Sequence, residues 1–245
     1  MMNDNELIKK RLFELSRRSY ERGYTVYSDF LSIDEAGILF EQKYDAPFHL
    51  FGGYENAERT IAAFGDEEEG CYPIVCIKIE PVNQKFADKL SHRDFLGSLM
   101  NLGIERSTLG DIVINNKCAY LFCLEKIRDY IINELDRVKH TSVKCSVCES
   151  VPQFLSEPPE EEKITVSSIR VDTVSATVFN LSRNAVTQLV NQQKVFINSK
   201  TIYKDSVLLK ENDRVTIRGY GKYIFTCIYN ETKKHKQLIG VRVYR

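Results

Sequence analysis

At 245 residues the chain is long enough for one large domain or two to three small ones, and its 43% hydrophobic and 28% charged residues are those of a soluble globular protein, not a disordered one. No apolar run approaches ~18 residues, and Met1-Met2-Asn3-Asp4 lacks the charged-then-apolar pattern of a signal segment, so the expectation is a cytoplasmic protein with no membrane partner. The formal net charge of zero hides an asymmetry: from Ile164 onward there are 14 Lys and Arg against 5 Asp and Glu, a balance of +9, and the preceding part therefore carries −9.

In chain order, residues 4 to 22 read as an amphipathic helix, with Leu7, Ile8, Leu12 and Leu15 on one stripe and Lys10, Glu14, Arg17 and Glu21 opposite. A second helix is expected from Ser32 to Lys43, with Ser32 or Asp34 near its start. His49 to Tyr54 and Thr60 to Phe64 read as strands, and Asp66-Glu67-Glu68-Glu69-Gly70 as an acidic turn that closes an N-terminal α/β domain at residue 70.

Residues 71–155 change pattern. Tyr72 to Val82 alternates as a strand; Ser91-His92-Arg93-Asp94 is a capping box ahead of the apolar stripe Phe95, Leu96, Leu99, Met100; Asp111–Ile114 and Cys118–Leu124 are strands joined at Asn115-Asn116. Ile127, Ile131 and Leu135 give a second helix and Val143–Cys148 a last strand. The order βαββαβ is that of a ferredoxin-like, RNA-recognition-like plait. On its third strand Ala119 and Leu121 share one face and Tyr120 and Phe122 the other; the face that stacks bases in such domains is expected to have lost its rings, and Tyr120 and Phe122 read as core. His92-Arg93-Asp94 also spells the opening of a kinase catalytic loop, but no glycine-rich phosphate loop, strand lysine or Asp-Phe-Gly accompanies it.

The seven cysteines, an odd number spread through apolar runs, fit reduced buried thiols. Cys145 and Cys148 stand three apart on an expected strand and so on opposite faces, which suits neither a metal nor a redox pair. No metal and no cofactor is expected. Residues 156–163, Ser-Glu-Pro-Pro-Glu-Glu-Glu-Lys, read as an acidic proline-rich linker.

The basic third, 164–245, carries Arg170-Val171-Asp172, then Leu181-Ser182-Arg183-Asn184, then Lys194-Val195-Phe196-Ile197-Asn198, then Asp213-Arg214-Val215-Thr216-Ile217-Arg218-Gly219. Ser182 is a candidate N-cap for a short helix, a helix with Val171, Val174 and Val178 precedes it, and two strands and a C-terminal hairpin follow. These residues in this order resemble the S4 (αL-type) RNA-binding domain. Two turn positions depart from its pattern, Gln193 and Ser199 standing where the family has glycine. The resemblance implies a structured-RNA surface around the two helices, with Arg170 and Arg183 at matching positions. Asn184, Lys194, Lys200, Lys204, Arg218 and Lys222 lie near them, and Lys233, Lys234 and Lys236 sit in the hairpin loop. The alternative for Arg183 is an ordinary ion pair with Asp172.

Gly52-Gly53-Tyr54-Glu55-Asn56-Ala57-Glu58-Arg59, then His92-Arg93-Asp94-Phe95-Leu96-Gly97, then Gly110-Asp111-Ile112, then the S4-like part, together resemble the bacterial YlmH family over nearly the whole chain. That resemblance implies a non-catalytic RNA-binding factor on the large ribosomal subunit, contacting ribosomal RNA and peptidyl-tRNA in quality control of stalled nascent chains. Arg59 and Arg93 are further candidate RNA contacts, as is Arg106. Two alternatives belong to other classes: an RNA-modifying enzyme that uses an S4 domain for targeting, although the first 160 residues offer no nucleotide fingerprint, and a cell-division-linked adaptor whose acidic N-terminal two-thirds bind a protein.

Overall fold

The structure, a computed structural model, describes residues 4–66, 72–85, 87–231 and 236–244, and contacts within the chain divide it into two units, Met1–Ser156 and Glu157–Arg245. In the first, helix α1 (Asp4–Arg22) buries Leu12 beside Ile8 and Leu15 against α2 (Ile33–Ile38) and a three-stranded antiparallel sheet in the order β1-β3-β2, made of β1 (Val26–Tyr27), β2 (Phe48–Phe51) and β3 (Ile61–Phe64). The buried seam of α1 is partly polar: Ser16 Oγ accepts from Ala46 N and Ser19 Oγ donates to the Phe64 carbonyl. Ser32 caps α2 in a capping box with Glu35. That helix ends at Ile38, five residues before the expected Lys43. Gly37 weakens it, Leu39 turns into the core, and Phe40 swings out to pack edge-on against Phe48 at 5.6 Å. The expected strand 49–54 likewise stops at Phe51, because Gly52 and Gly53 turn the chain. Of the expected acidic turn, residues 67–70 lie outside the described residues.

Strands β4 (Ile74–Pro81), β5 (Leu109–Asn115), β6 (Cys118–Leu124), β7 (Arg137–Val138) and β8 (Thr141–Val147) form a second antiparallel sheet in the order β5-β6-β4-β8-β7, with α3 (His92–Asn101) and α4 (Arg128–Glu134) as its connections. The element order follows the expected βαββαβ, with the short β7 added as a hairpin arm. The β5–β6 turn is Asn116-Lys117, one residue later than expected; both take positive φ (49° and 66°), the geometry of a two-residue hairpin turn that matches strand twist. The two helices cover one face, where Phe95, Leu99, Ile131 and Leu135 meet Ile77, Ile79, Ala119, Leu121 and Cys123. Burial pushes the Cys123 thiol up to about 12. On the opposite face Cys76, Phe122 and Leu124 pack with Phe30, Ile61 and Leu155, the last from the single-turn α5 (Gln153–Ser156). Cys145 joins the helix side and Cys148 the other, as strand alternation requires.

The second unit is a six-stranded antiparallel sheet, β11-β10-β12-β13-β14-β9, covered by α6 (Val171–Val178) and α7 (Arg183–Asn191). Its strands are β9 (Glu161–Val166), β10 (Val195–Ile197), β11 (Lys200–Thr201), β12 (Arg214–Ile217), β13 (Gly221–Glu231) and β14 (Gln237–Tyr244). The acidic stretch read as linker is therefore strand from Glu161 onward. It pairs with β14 from Glu161↔Arg242 to Val166↔Gln237, and at a sheet edge its charges are solvated. Gln193 and Ser199, which stand where the S4 pattern has glycine, both take positive φ (56° and 64°). The glycine geometry is kept without the glycine, at a cost of about 1–2 kcal/mol each.

Candidate nucleic-acid interface

The second unit's cationic face is organised by a buried carboxylate. Asp172, in the first turn of α6, has a side chain only 2% exposed, whereas Arg170 and Arg183 are 34% and 54% exposed. Arg170 donates through Nε and Nη2 to the two Asp172 oxygens at 3.1 Å each; Arg183 donates to Oδ2 through Nε at 3.0 Å and Nη2 at 2.5 Å; Thr173 N donates to Oδ1 at 2.8 Å. Burial pushes the Asp172 carboxyl up, but the hydrogen bonds from Arg183 and Arg170 outweigh it and hold the group below its ordinary value. Asp205 adds a second carboxylate, its Oδ1 3.5 Å from Arg170 Nη2, so the four groups balance in charge, and Arg183, the more exposed of the two arginines, is the one that presents most guanidinium surface to solvent. The pairing with Asp172 that was the alternative for Arg183 is thus present, and Arg170 shares it.

Ser182 fixes the second helix: its Oγ accepts from Ala185 N at 3.1 Å, which places Arg183 and the exposed Asn184 in the first turn of α7. Lys200 and Lys204 are exposed and Lys194 is half-buried. Arg218 is exposed, 5.7 Å from the centre of the Phe196 ring, and its backbone N–H meets the Lys194 carbonyl, so the two stand side by side at strand ends. Lys222 differs from the expectation. It is 8% exposed, its Nζ 5.3 Å from the Tyr244 ring, so it packs within the sheet and is not a surface donor. Lys236 is exposed; Lys233 and Lys234 lie outside the described residues.

In the first unit Arg59 is an internal brace. Its Nε donates to the Leu109 carbonyl and its Nη2 to those of Phe30 and Arg106, and burial lowers its pKa. Arg106 does the same for Leu109 and Gly110 and is brought down to about 10 by burial and by Arg59. These bonds hold both guanidinium groups in place within the first unit. Arg93 is exposed on α3. Beside it, Asp94 accepts from Ser91 and pairs with Lys139 at 2.8 Å, interactions that lower it to about 2. Tyr120 and Phe122 do lie on the sheet face away from the helices, so that face has kept its rings. The chain itself covers Phe122, on which Tyr54 stacks at 4.9 Å, whereas Tyr120, met edge-on by Phe154 at 5.1 Å, stays half-buried.

Sequence reasoning passed over Asp205 and Thr187, whose side chains bond at 2.7 Å and tie the β11–β12 loop to α7. Neither belongs to a motif, and only the fold brings them together. Among the described residues no three His, Cys, Asp or Glu side chains gather to hold a metal, and no helix is long and apolar enough to cross a membrane.

These features define a two-unit α/β protein with several antiparallel sheets and a cationic face, built on a buried Asp, in its C-terminal unit. The chain belongs to the YlmH family. The family profile described as a putative RNA-binding domain in YlmH matches residues 68–151. Across 221 residues, 85% of this chain and 83% of its relative, it is 31% identical to the ribosome-associated protein quality control protein P2 of Bacillus subtilis (strain 168). The solved structure of the cell division protein ylmH from Streptococcus pneumoniae aligns with a TM-score of 0.50, covering 60% of this chain and 93% of that one at 17% identity, a likeness of fold.

Proposed function

We propose that the chain is a non-catalytic, cytoplasmic RNA-binding factor that docks on the large ribosomal subunit, contacts ribosomal RNA and peptidyl-tRNA, and serves quality control of stalled nascent chains. The observation that carries this is the 31% identity, over most of both chains, to a relative named for ribosome-associated quality control. The C-terminal unit acts as an S4 domain. Arg170 and Arg183, positioned by Asp172, meet the backbone of folded RNA, while Lys194, Lys200, Lys204 and Arg218 add phosphate contacts. The RNA-recognition-like sheet of the first unit does not use Phe122 as a base platform, because Tyr54 stacks on that ring and burial closes it off.

Co-sedimentation with purified large subunits at two salt concentrations tests the proposal. Reversing Arg170 or Arg183 is a poor probe, since a glutamate there faces the buried Asp172 and destabilises the unit. The triple variant Lys194→Glu, Lys200→Glu, Lys204→Glu leaves that cluster intact. It is expected to lose binding at the higher salt, and its log K against log salt slope to flatten by about 0.7–0.9 per phosphate contact removed. Unchanged sedimentation of this triple variant, with a native circular-dichroism spectrum, overturns the S4-centred mechanism.

A further inference from the structure

Tyr203 is 68% exposed, on the loop between β11 and β12. Single exposed aromatic residues are common and need no function. This one differs in what holds it. The loop is anchored at both ends by buried Ile202 and Leu209, and between them it is fastened to the start of α6. Val171 N donates to the Val207 carbonyl at 2.9 Å, Asp172 N to that of Asp205 at 3.3 Å, and Leu209 N to that of Ile169 at 3.0 Å. Side chains add a second set of ties: Thr187 Oγ1 donates to Asp205 Oδ2 at 2.7 Å, and Arg170 Nη2 lies 3.5 Å from Asp205 Oδ1. Arg170 and Asp172 therefore take part both in the arginine–carboxylate cluster and in the ties that hold the loop carrying Tyr203. Lys200 and Lys204, both exposed, bracket the ring in sequence. A flat ring on a loop already ordered, with exposed lysines one and three residues away along the chain, can accept a base on its face while the lysines reach adjoining phosphates.

We propose that Tyr203 is a stacking platform for one unpaired nucleobase, so that the RNA taken by this unit is a folded RNA offering a looped-out nucleotide and not an uninterrupted duplex. This rests on the RNA-binding reading above and narrows its ligand. Bases inside a paired stem have no free face, whereas loops and bulges present one.

The sequence contains no tryptophan, so Tyr203→Trp in the full chain carries a single indole at this point. Its emission is followed at low salt with two RNAs, a stem closed by an unpaired loop and the same stem as a blunt duplex. The looped RNA is expected to quench the indole and the duplex to leave it unchanged. In parallel, Tyr203→Ala is expected to weaken the looped RNA at least tenfold and the duplex not measurably, with Tyr203→Phe retaining native affinity and all variants melting with the native chain. Binding of the looped RNA with no change in emission, or a Tyr203→Ala variant that weakens both RNAs equally or neither, overturns the stacking role while leaving the cationic surface in place. A native chain that binds neither RNA overturns the RNA-binding reading itself, and the platform with it.

Discussion

Asp172→Ala is expected to destabilise the second unit by about 3 kcal/mol, the scale for breaking a buried ion pair by removing one partner. The change removes the acceptor of four hydrogen bonds from Arg170 and Arg183 and of two from Thr173, its amide and its hydroxyl. It leaves Arg183 without the carboxylate it shares and Arg170 with Asp205, 3.5 Å away, as its remaining counter-charge. Both are partly exposed, so water recovers some of the loss, and the cost stays short of that for stranding a wholly buried ion. Against a total of roughly 5–15 kcal/mol for a domain this is a large fraction, and the unit's melting temperature is expected to fall on the order of 15 °C. The RNA readout separates two roles. If the carboxylate merely added negative charge near a phosphate-binding face, Asp172→Asn would bind RNA more tightly. As the group that orients both arginines it is expected to bind more weakly, because an amide presents only one oxygen and turns its NH2 toward a guanidinium.

The same carboxylate sets an acid dependence. Its folded pKa lies below the unfolded value of about 3.9, so its contribution is fully present above about pH 4 and is lost as pH falls through the folded value. Urea midpoints of the second unit, native against Asp172→Asn, are expected to stay apart above that pH and to converge below it. A gap that persists at the lowest pH would place the stabilisation in packing and not in the ionised group.

The parts of this architecture legible in the sequence are those written in local chemistry. Ser32, Ser182 and the Ser91-Asp94 pair each announced a helix start, and the alternation in 118–124 separated Ala119 and Leu121 from Tyr120 and Phe122 but did not say which pair meets the helices. What was not legible depends on partners distant in sequence. The first half of strand β9 looks like the end of a solvated linker because Glu161 and Glu162 continue an acidic run after two prolines; only β14, more than 70 residues later, makes it a strand. Lys222 reads as a surface cation until Tyr244 is found beside it. Arg59 sits in a motif with exposed-looking polar neighbours, and its acceptors are carbonyls of residues 30, 106 and 109. The Arg170, Asp172, Arg183 cluster was half legible: the S4 resemblance implies that the two arginines share a surface, and an Arg183–Asp172 pair is the ordinary alternative, but neither says that the carboxylate is buried or that both arginines hold it.

That motif, Gly52 to Arg59, is where the second large effect is expected. A Cβ on Gly52 would stand 2.2 Å from the Arg59 carbonyl oxygen and 2.4 Å from Ala57 Cβ, so the loop closes only with no side chain there. Its closure has three dependents on Asp111, which accepts from the Tyr54 hydroxyl at 2.8 Å, Glu58 N at 2.7 Å and Arg59 N at 3.1 Å. It also lays Tyr54 over Phe122, a ring 1% exposed at the centre of that sheet face. Gly52→Ala is expected to cost about 3 kcal/mol or more in the first unit, because the obstacle is backbone and cannot rotate away. Gly97, in the middle of α3, supplies the opposite sign, since a Cβ added there meets nothing within 4 Å: Gly97→Ala is expected to stabilise by roughly 0.5–1 kcal/mol. Residue-resolved hydrogen exchange distinguishes the cases, with Gly52→Ala lowering protection across β2 to β6 and leaving β9 to β14 at native values. Loss confined to residues 52–59 would mean that the loop opens alone, and that Phe122 is held by Phe30 and Ile61 without help from Tyr54.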